Sequence, residues 1–193
     1  AANCAMLGEA FRIHGDEELC RYYTVEAIKA FRFAEKQAVS QLDDRQNIGT
    51  SSMRGRDFKQ MAAAFIYNLT GDRQWEDIMV AESVVKAGVA PLFSKGREQY
   101  YQIWGAAAYL TCPQERHYPE YYADLVESVN RQADENNVCH MATRPSRRTA
   151  NDPRWQTSEN LQMVLLAHYV ADTDQRREQL EQAMYIEAGW GLG

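Results

Sequence analysis

The chain has 193 residues, 45% hydrophobic and 25% charged, with a formal net charge of -6 and a pI near 5.3. This composition suits a packed globular protein and argues against disorder, and the length suffices for one domain with a sizeable core. The acidic balance leaves no basic footprint for nucleic acid or an anionic membrane, and no stretch approaches the roughly 18 consecutive apolar residues of a spanning helix.

In chain order, the first predicted element is a helix over 3–14, with Ala5, Leu7, Ala10, Phe11 and Ile13 expected on its buried side and Gly15 ending it. A second helix is expected over 17–37, where Leu19, Tyr23, Val25, Ile28, Phe31 and Ala34 recur with a helical period. Residues 38–52, with Asp43, Asp44, Gly49 and the run Thr50-Ser51-Ser52, read as a loop that caps a third helix over 53–69. A fourth helix is expected over 73–86, stopped by Gly88 and Pro91. The second half repeats the scheme, with helices over 95–110, 119–136, 153–170 and 174–188. Pro119 suits a first-turn position, where its missing N–H is harmless. No run alternates with period two between hairpin turns, so no sheet is expected.

A repeated phrase organises these helices. An aromatic residue stands four positions before a sharp turn at Phe11, Tyr67, Tyr109 and Tyr169, ahead of Gly15-Asp16, Gly71-Asp72, Pro113 and Thr173-Asp174. Each copy joins two helices, so the unit is an antiparallel α-hairpin. The turns lie 56, 42 and 60 residues apart (71-15, 113-71, 173-113), less regular than the 34 or so of a tetratricopeptide array. That irregularity favours an enzyme-like toroid over a solenoid.

Connections inside each hairpin are short, whereas 38–52, 88–96 and 137–153 are long, and long loops are where function concentrates. If the first helix of each pair is an inner stave, its N-terminal end opens on the long-loop face. The residues there suit a sugar cleft, in which aromatic rings stack on sugar rings while Arg, amide and carboxylate groups bond hydroxyls. They are Arg54, Arg56 and Asp57 on the third helix, Glu98, Tyr100, Tyr101, Gln102 and Trp104 on the fifth, and Trp155 and Glu159 on the seventh. The loop between adds His140, Arg144, Arg147 and Arg148. Read singly, each aromatic also fits a core position, and Arg54 or Asp57 also fits a cap or an ion pair.

Other chemistries lack their patterns. The cysteines Cys4, Cys20, Cys112 and Cys139 form no CxxC pair and no zinc spacing. Across the first hairpin Cys4 and Cys20 differ in level by roughly 9 Å at about 1.5 Å per residue, too far for a disulfide, so free and mostly buried thiols are expected. The histidines His14, His117, His140 and His168 include no i,i+4 pair, and His168 reads as a core histidine with a bonded nitrogen. There is no phosphate loop and no nucleophile elbow. No metal and no cofactor is expected.

The segments Ala62 through Asp72 and Trp155 through Asp174, closing with Ala188-Gly189-Trp190-Gly191-Leu192-Gly193, resemble the catalytic barrel of glycoside hydrolase family 9. That family comprises endoglucanases, related cellobiohydrolases and some exo-acting glucosaminidases built as an (α/α)6 toroid of six helix pairs. The resemblance implies an all-α fold, an incomplete toroid of about eight helices in four antiparallel α-hairpins, and a single domain over 1–193 that is a central fragment of a larger catalytic domain. The start Ala1-Ala2-Asn3-Cys4 reads as a cut inside a helix, in keeping with a fragment. Family members carry an Asp-Ala-Gly-Asp motif with the catalytic base, and a general-acid Glu near the domain end. This chain has no Asp-Ala-Gly-Asp, so the catalytic pair is expected outside it.

Inverting hydrolysis needs two carboxyl groups roughly 6.5 to 9.5 Å apart, and Asp57, Glu98 and Glu159 are the only carboxyls placed on the cleft face, each a weak candidate. Arg54, Arg56, Tyr100, Tyr101, Trp104 and Trp155 are the expected substrate contacts. The implied activity is hydrolysis of β-linked glucan or amino-glucan, with an oligosaccharide or polysaccharide as partner. A second reading of the same helices is a helical-repeat module binding a peptide or protein, and other toroid enzymes such as polysaccharide lyases share the pattern. An incomplete toroid is expected to expose apolar flanks and to self-associate through them. The resemblance implies a periplasmic or extracellular parent; unpaired cysteines suit a cytoplasmic one.

Overall fold

The computed structural model describes residues 1–38, 40–48, 51–86, 92–94, 100–135 and 153–192, with 45–48, 51–52, 93–94, 100, 153–160, 187 and 189–192 described by backbone alone. The chain is mostly helical, as expected. Among the described residues the helices are α1 (Ala2–His14), α2 (Glu17–Gln37), α3 (Gly55–Thr70), α4 (Arg73–Glu82), α5 (Ile103–Leu110), α6 (Pro119–Glu135), α7 (Pro153–Val170) and α8 (Asp174–Leu192). Two short antiparallel ribbons, which the sequence pattern does not announce, correct the expectation of no strands. β1 (Arg45–Ile48) pairs with β2 (Ser51–Arg54), and β3 (Phe93–Ser94) with β4 (Tyr100–Tyr101). With two to four residues a strand, they are too short for alternation to show. They also shorten the third and fifth helices, which begin at Gly55 and Ile103 instead of 53 and 95.

The hairpin turns follow from their residues. Gly15 and Gly71 take the left-handed conformation, with φ of 87° and 63°, which only glycine adopts at little cost. The aspartate after each glycine caps the next helix: Asp16 accepts from the Leu19 N–H at 3.0 Å and Asp72 from the Gln74 N–H at 3.1 Å. Thr173 does the same for Arg176 at 3.2 Å. One dipeptide thus ends one helix and starts the next.

The described residues fall into two compact units, one covering 1–86 and 92–122 and the other built mainly on residues from 123 onward. In the first unit α1 packs on α2, α3 packs on α4, and α3 also packs against both α1 and α5. Its core gathers Ala62, Ala63, Ala64, Ile66 and Tyr67 of α3, Trp75 and Met79 of α4, and Tyr109 and Leu110 of α5. Phe31 of α2 meets Trp75 edge to face at 5.0 Å, and the Arg32 guanidinium covers the same indole at 4.9 Å. Burying a ring of this size contributes about 2 to 3 kcal/mol. In the second unit α7 packs on α8 through Met163, Val164, Ala167, Leu180 and Ala183.

On α1 the buried residues are Ala2, Ala5 and Gly8. Leu7 and Ile13, expected inside, are 44% and 75% exposed, because the small residues let α1 lie close to its neighbours and turn the larger ones outward. Of the four repeated aromatics, Tyr67 and Tyr109 are fully buried, Phe11 is half-buried and stacked on Tyr23 at 5.5 Å, and Tyr169 is 59% exposed. Cys4, Cys20 and Cys112 are free thiols; Cys112 is buried and the other two half-buried, while Cys139 lies outside the described residues.

Candidate functional site

The N-terminal end of α3 is tied to the connection before it, the Gly55 N–H donating to the Asp44 carbonyl at 3.2 Å and the Arg56 N–H to the Leu42 carbonyl at 2.8 Å. The expected cap in Thr50-Ser51-Ser52 is not the one used: Arg54 precedes the helix, and the Asp57 carboxylate reaches back to the Arg54 N–H at 2.9 Å. Asp57 Oδ1 also takes the Arg54 Nη2 at 2.9 Å and the Gln102 Nε2 at 3.0 Å, while Oδ2 takes the Tyr101 N–H at 3.1 Å. Asp57 is fully buried, and a buried carboxylate persists only when paired and bonded in this way. Its oxygens are committed to the protein, so Asp57 holds the fold at this end and is not placed to activate water.

Gln102 completes the arrangement. It is fully buried, its Oε1 accepts the Val84 N–H at 2.8 Å, and its Nε2 is shared between Asp57 and the Glu82 carbonyl at 2.9 Å. Arg56, another expected sugar contact, lies between Asp43 at 2.7 Å and Glu82 at 2.8 Å, and Lys59 reaches the other Glu82 oxygen at 2.9 Å. Burial pushes the Glu82 carboxyl up, but Lys59 and Arg56 together outweigh it and hold the group below its ordinary range. Arg56 also depresses Asp43.

The sequence-predicted residues therefore divide. Arg54 pairs with Asp57, and Arg56 with Asp43 and Glu82, two sets of ion pairs joined by the Gln102 amide between Asp57 and the Glu82 carbonyl. Tyr101 is 6% exposed and serves packing, whereas Trp104, at the first turn of α5, is 43% exposed. Tyr100 lies in β4, and Trp155 and Glu159 in α7, with side chains outside the described residues; Glu98, His140, Arg144, Arg147 and Arg148 lie outside them altogether.

Beside this end is a cavity of about 600 Å³, lined by Ala30, Phe31 and Ala34 of α2 and Phe58, Met61 and Ala62 of α3, with Glu35 and Lys59 also in its wall. Its volume falls in the range of ligand pockets, but its wall is mostly alanine and phenylalanine.

A second constellation, at the opposite ends of α3 and α4, escaped the sequence reading. Glu76, fully buried in the first turn of α4, accepts the Tyr109 hydroxyl at 2.6 Å and the His117 N–H at 3.0 Å on Oε1, and His117 Nδ1 lies 2.7 Å from Oε2. Tyr67 Oη donates to the Glu115 carbonyl and lies 3.3 Å from His117 Nδ1. Gln114 and Tyr118 add bonds to the Asn68 carbonyl and to Asp77. The connection 111–118 is thereby fastened to the α3–α4 turn. Burial, reinforced by Glu76, pushes the Tyr67 phenol up to about 12 and raises Tyr109 as well. Burial also raises the Cys112 thiol, so it stays protonated and is no nucleophile. No local pattern links Glu76 to a histidine 41 residues on; only the tertiary fold does. His168, expected as a core histidine with a bonded nitrogen, has that bond, Nε2 lying 2.9 Å from Glu181 of α8, but is half-buried.

Among the described residues no group of three His, Cys, Asp or Glu side chains could hold a metal ion, and no helix is long and apolar enough to cross a membrane. No protein-family model, no curated protein and no solved structure matches the chain.

Proposed function

We propose that the chain is part of a glycoside hydrolase related to family 9, acting on β-linked glucan or amino-glucan, and that it binds the oligosaccharide on the face where α3 and α5 begin. The observation that carries this reading is Trp104. A large indole left 43% exposed beside a tightly braced set of charged and amide groups offers a rigid platform for a sugar ring. The packing of α3 against both α1 and α5 supports an inner layer of first helices, as an α/α toroid requires. The acid and base of the reaction are carboxylates other than Asp57, whose oxygens are already bonded.

Calorimetric titration of the chain with cellohexaose and chitohexaose tests the reading. Binding of either, weakened about tenfold or more by Trp104→Ala, is the expected result; no binding of both refutes it. Turnover of aryl β-glucosides and β-glucosaminides that survives Asp57→Asn is expected of any active form.

The alanine-lined cavity favours a second reading, a module that takes an apolar peptide between α2 and α3. Ala34→Trp fills that cavity without touching Trp104. Loss of sugar binding in Ala34→Trp would move the sugar site to the cavity, and unchanged sugar binding keeps it at Trp104.

A further inference from the structure

We infer that Asp57 and Gln102 form a clamp whose role is to fix the indole of Trp104, making both of them positioning residues for the sugar platform. The inference rests on the oligosaccharide reading for its functional meaning and on geometry for the clamp itself.

Gln102 is the residue before α5, and its carbonyl accepts the first helical bond, from the Ala106 N–H at 3.0 Å. Its own N–H donates to the Leu92 carbonyl at 2.9 Å, and its amide is held by Asp57, Glu82 and Val84. The Tyr101 N–H, one residue earlier, is held by Asp57. Two consecutive residues leading into α5 are thus tied to the start of α3, the end of α4 and the segment at Leu92. Trp104 follows two residues later, with no freedom to shift along or around the helix axis unless Gln102 moves.

The clamp is anchored by charge. Asp57 has its ion pair with Arg54, whose side chain is 19% exposed, and hydrogen bonds to a buried carboxylate are about twice as strong as neutral ones. This bracing matters for a stacking surface because displacement of a binding group by about 1 Å can cost orders of magnitude in productive complex.

The test labels the full chain with 5-fluorotryptophan and follows the fluorine resonance of Trp104, assigned by Trp104→Phe, beside hexasaccharide affinity. Asp57→Asn replaces one acceptor oxygen by an N–H group that faces protein donors, the Arg54 and Tyr101 N–H groups or the Gln102 amide and Arg54 guanidinium, and Gln102→Glu sets a carboxylate oxygen against Asp57 and the Glu82 carbonyl. Each is expected to shift or broaden the Trp104 resonance and to weaken cellohexaose or chitohexaose about tenfold, leaving the resonance of core Trp75 in place. The double variant exchanges donor and acceptor between the two positions and is expected to recover part of both losses. If Asp57→Asn unfolds, as the Trp75 resonance will report, Gln102→Met keeps the Asp57–Arg54 pair and carries the same test. An unmoved Trp104 resonance, or single effects that simply add in the double variant, overturns the clamp. Wild-type chain that binds neither hexasaccharide refutes the sugar reading, and the Trp104 resonance then still decides the clamp.

Discussion

Gly105→Ala probes the contact that sets how closely α5 lies on α3. A Cβ built on Gly105 falls 1.8 Å from Gln60 Oε1, 2.6 Å from its Cδ and 2.8 Å from its Nε2. Ordinary contact is about 3.5 Å, so the Gln60 amide has to leave its place, and Gln60 is fully buried. Overpacking of this depth costs about 3 kcal/mol, the upper end of its range. Alanine in place of glycine inside a helix returns about 1 kcal/mol, so the net loss is about 2 kcal/mol. With Gln60→Ala the obstruction is gone, and the same Gly105→Ala substitution becomes stabilising by about 1 kcal/mol. Urea unfolding of the four chains, followed by far-ultraviolet circular dichroism, measures the coupling at about 3 kcal/mol. A Gly105→Ala effect equal in both backgrounds, within about 0.5 kcal/mol, would refute the close approach of α3 and α5.

Three further outcomes follow from the buried polar groups. In a spectrophotometric titration of the 11 tyrosines, Tyr67 and Tyr121, both pushed up to about 12 by burial, and Tyr109, raised by the same cause, ionise only as the chain unfolds. Because these phenols are raised in the folded chain, their contribution is complete below the ordinary value of about 10 and is lost as the pH climbs toward 12; smooth titration of every tyrosine near 10 would count against the core. Glu82 is depressed in the folded chain, so its contribution is present above the ordinary carboxyl range and is lost as pH falls through the folded value. Glu82→Gln is expected to cost about 1.5 kcal/mol at neutral pH and to flatten the acid limb of stability against pH, and an unchanged limb would remove Glu82 from the account. Glu76→Ala strands the Tyr109 hydroxyl and the His117 N–H and is expected to cost about 3 kcal/mol, read as a fall in the urea midpoint, whereas a neutral variant would mean that the 111–118 connection is held by its other bonds.

The hairpin plan was legible because its signals are local. Gly15-Asp16 and Gly71-Asp72 each carry a left-handed residue and a cap within two positions, and the structure uses both as written. The helix over 17–37 matches α2 to the residue. Legibility failed where a partner distant in sequence decides. In α1 the periodic apolar residues Leu7 and Ile13 are exposed, because Ala2, Ala5 and Gly8 make the closer packing surface. The ribbon β3–β4 pairs Phe93 with Tyr101, and two residues a strand leave no period to detect.

The candidate site shows the same division more sharply. Arg54, Arg56, Asp57 and Gln102 stand out in the sequence because charged and amide groups cluster at helix starts, and helix starts are where such groups bind ligands. That same chemistry also holds helix starts to one another. Asp57 alone joins Arg54, Tyr101 and Gln102, and Glu82 joins Arg56 and Lys59. A sequence cannot separate the two uses, since the choice depends on whether a protein donor or a ligand hydroxyl lies within about 3 Å. Here the protein donors are in place, and the polar residues brace the segment that leads into α5, on which Trp104 is 43% exposed. On the proposed sugar reading, the residue types that suggested a cleft bear on binding through the rigidity they confer, and affinity is then expected to respond to Asp57 and Gln102 only as far as Trp104 moves.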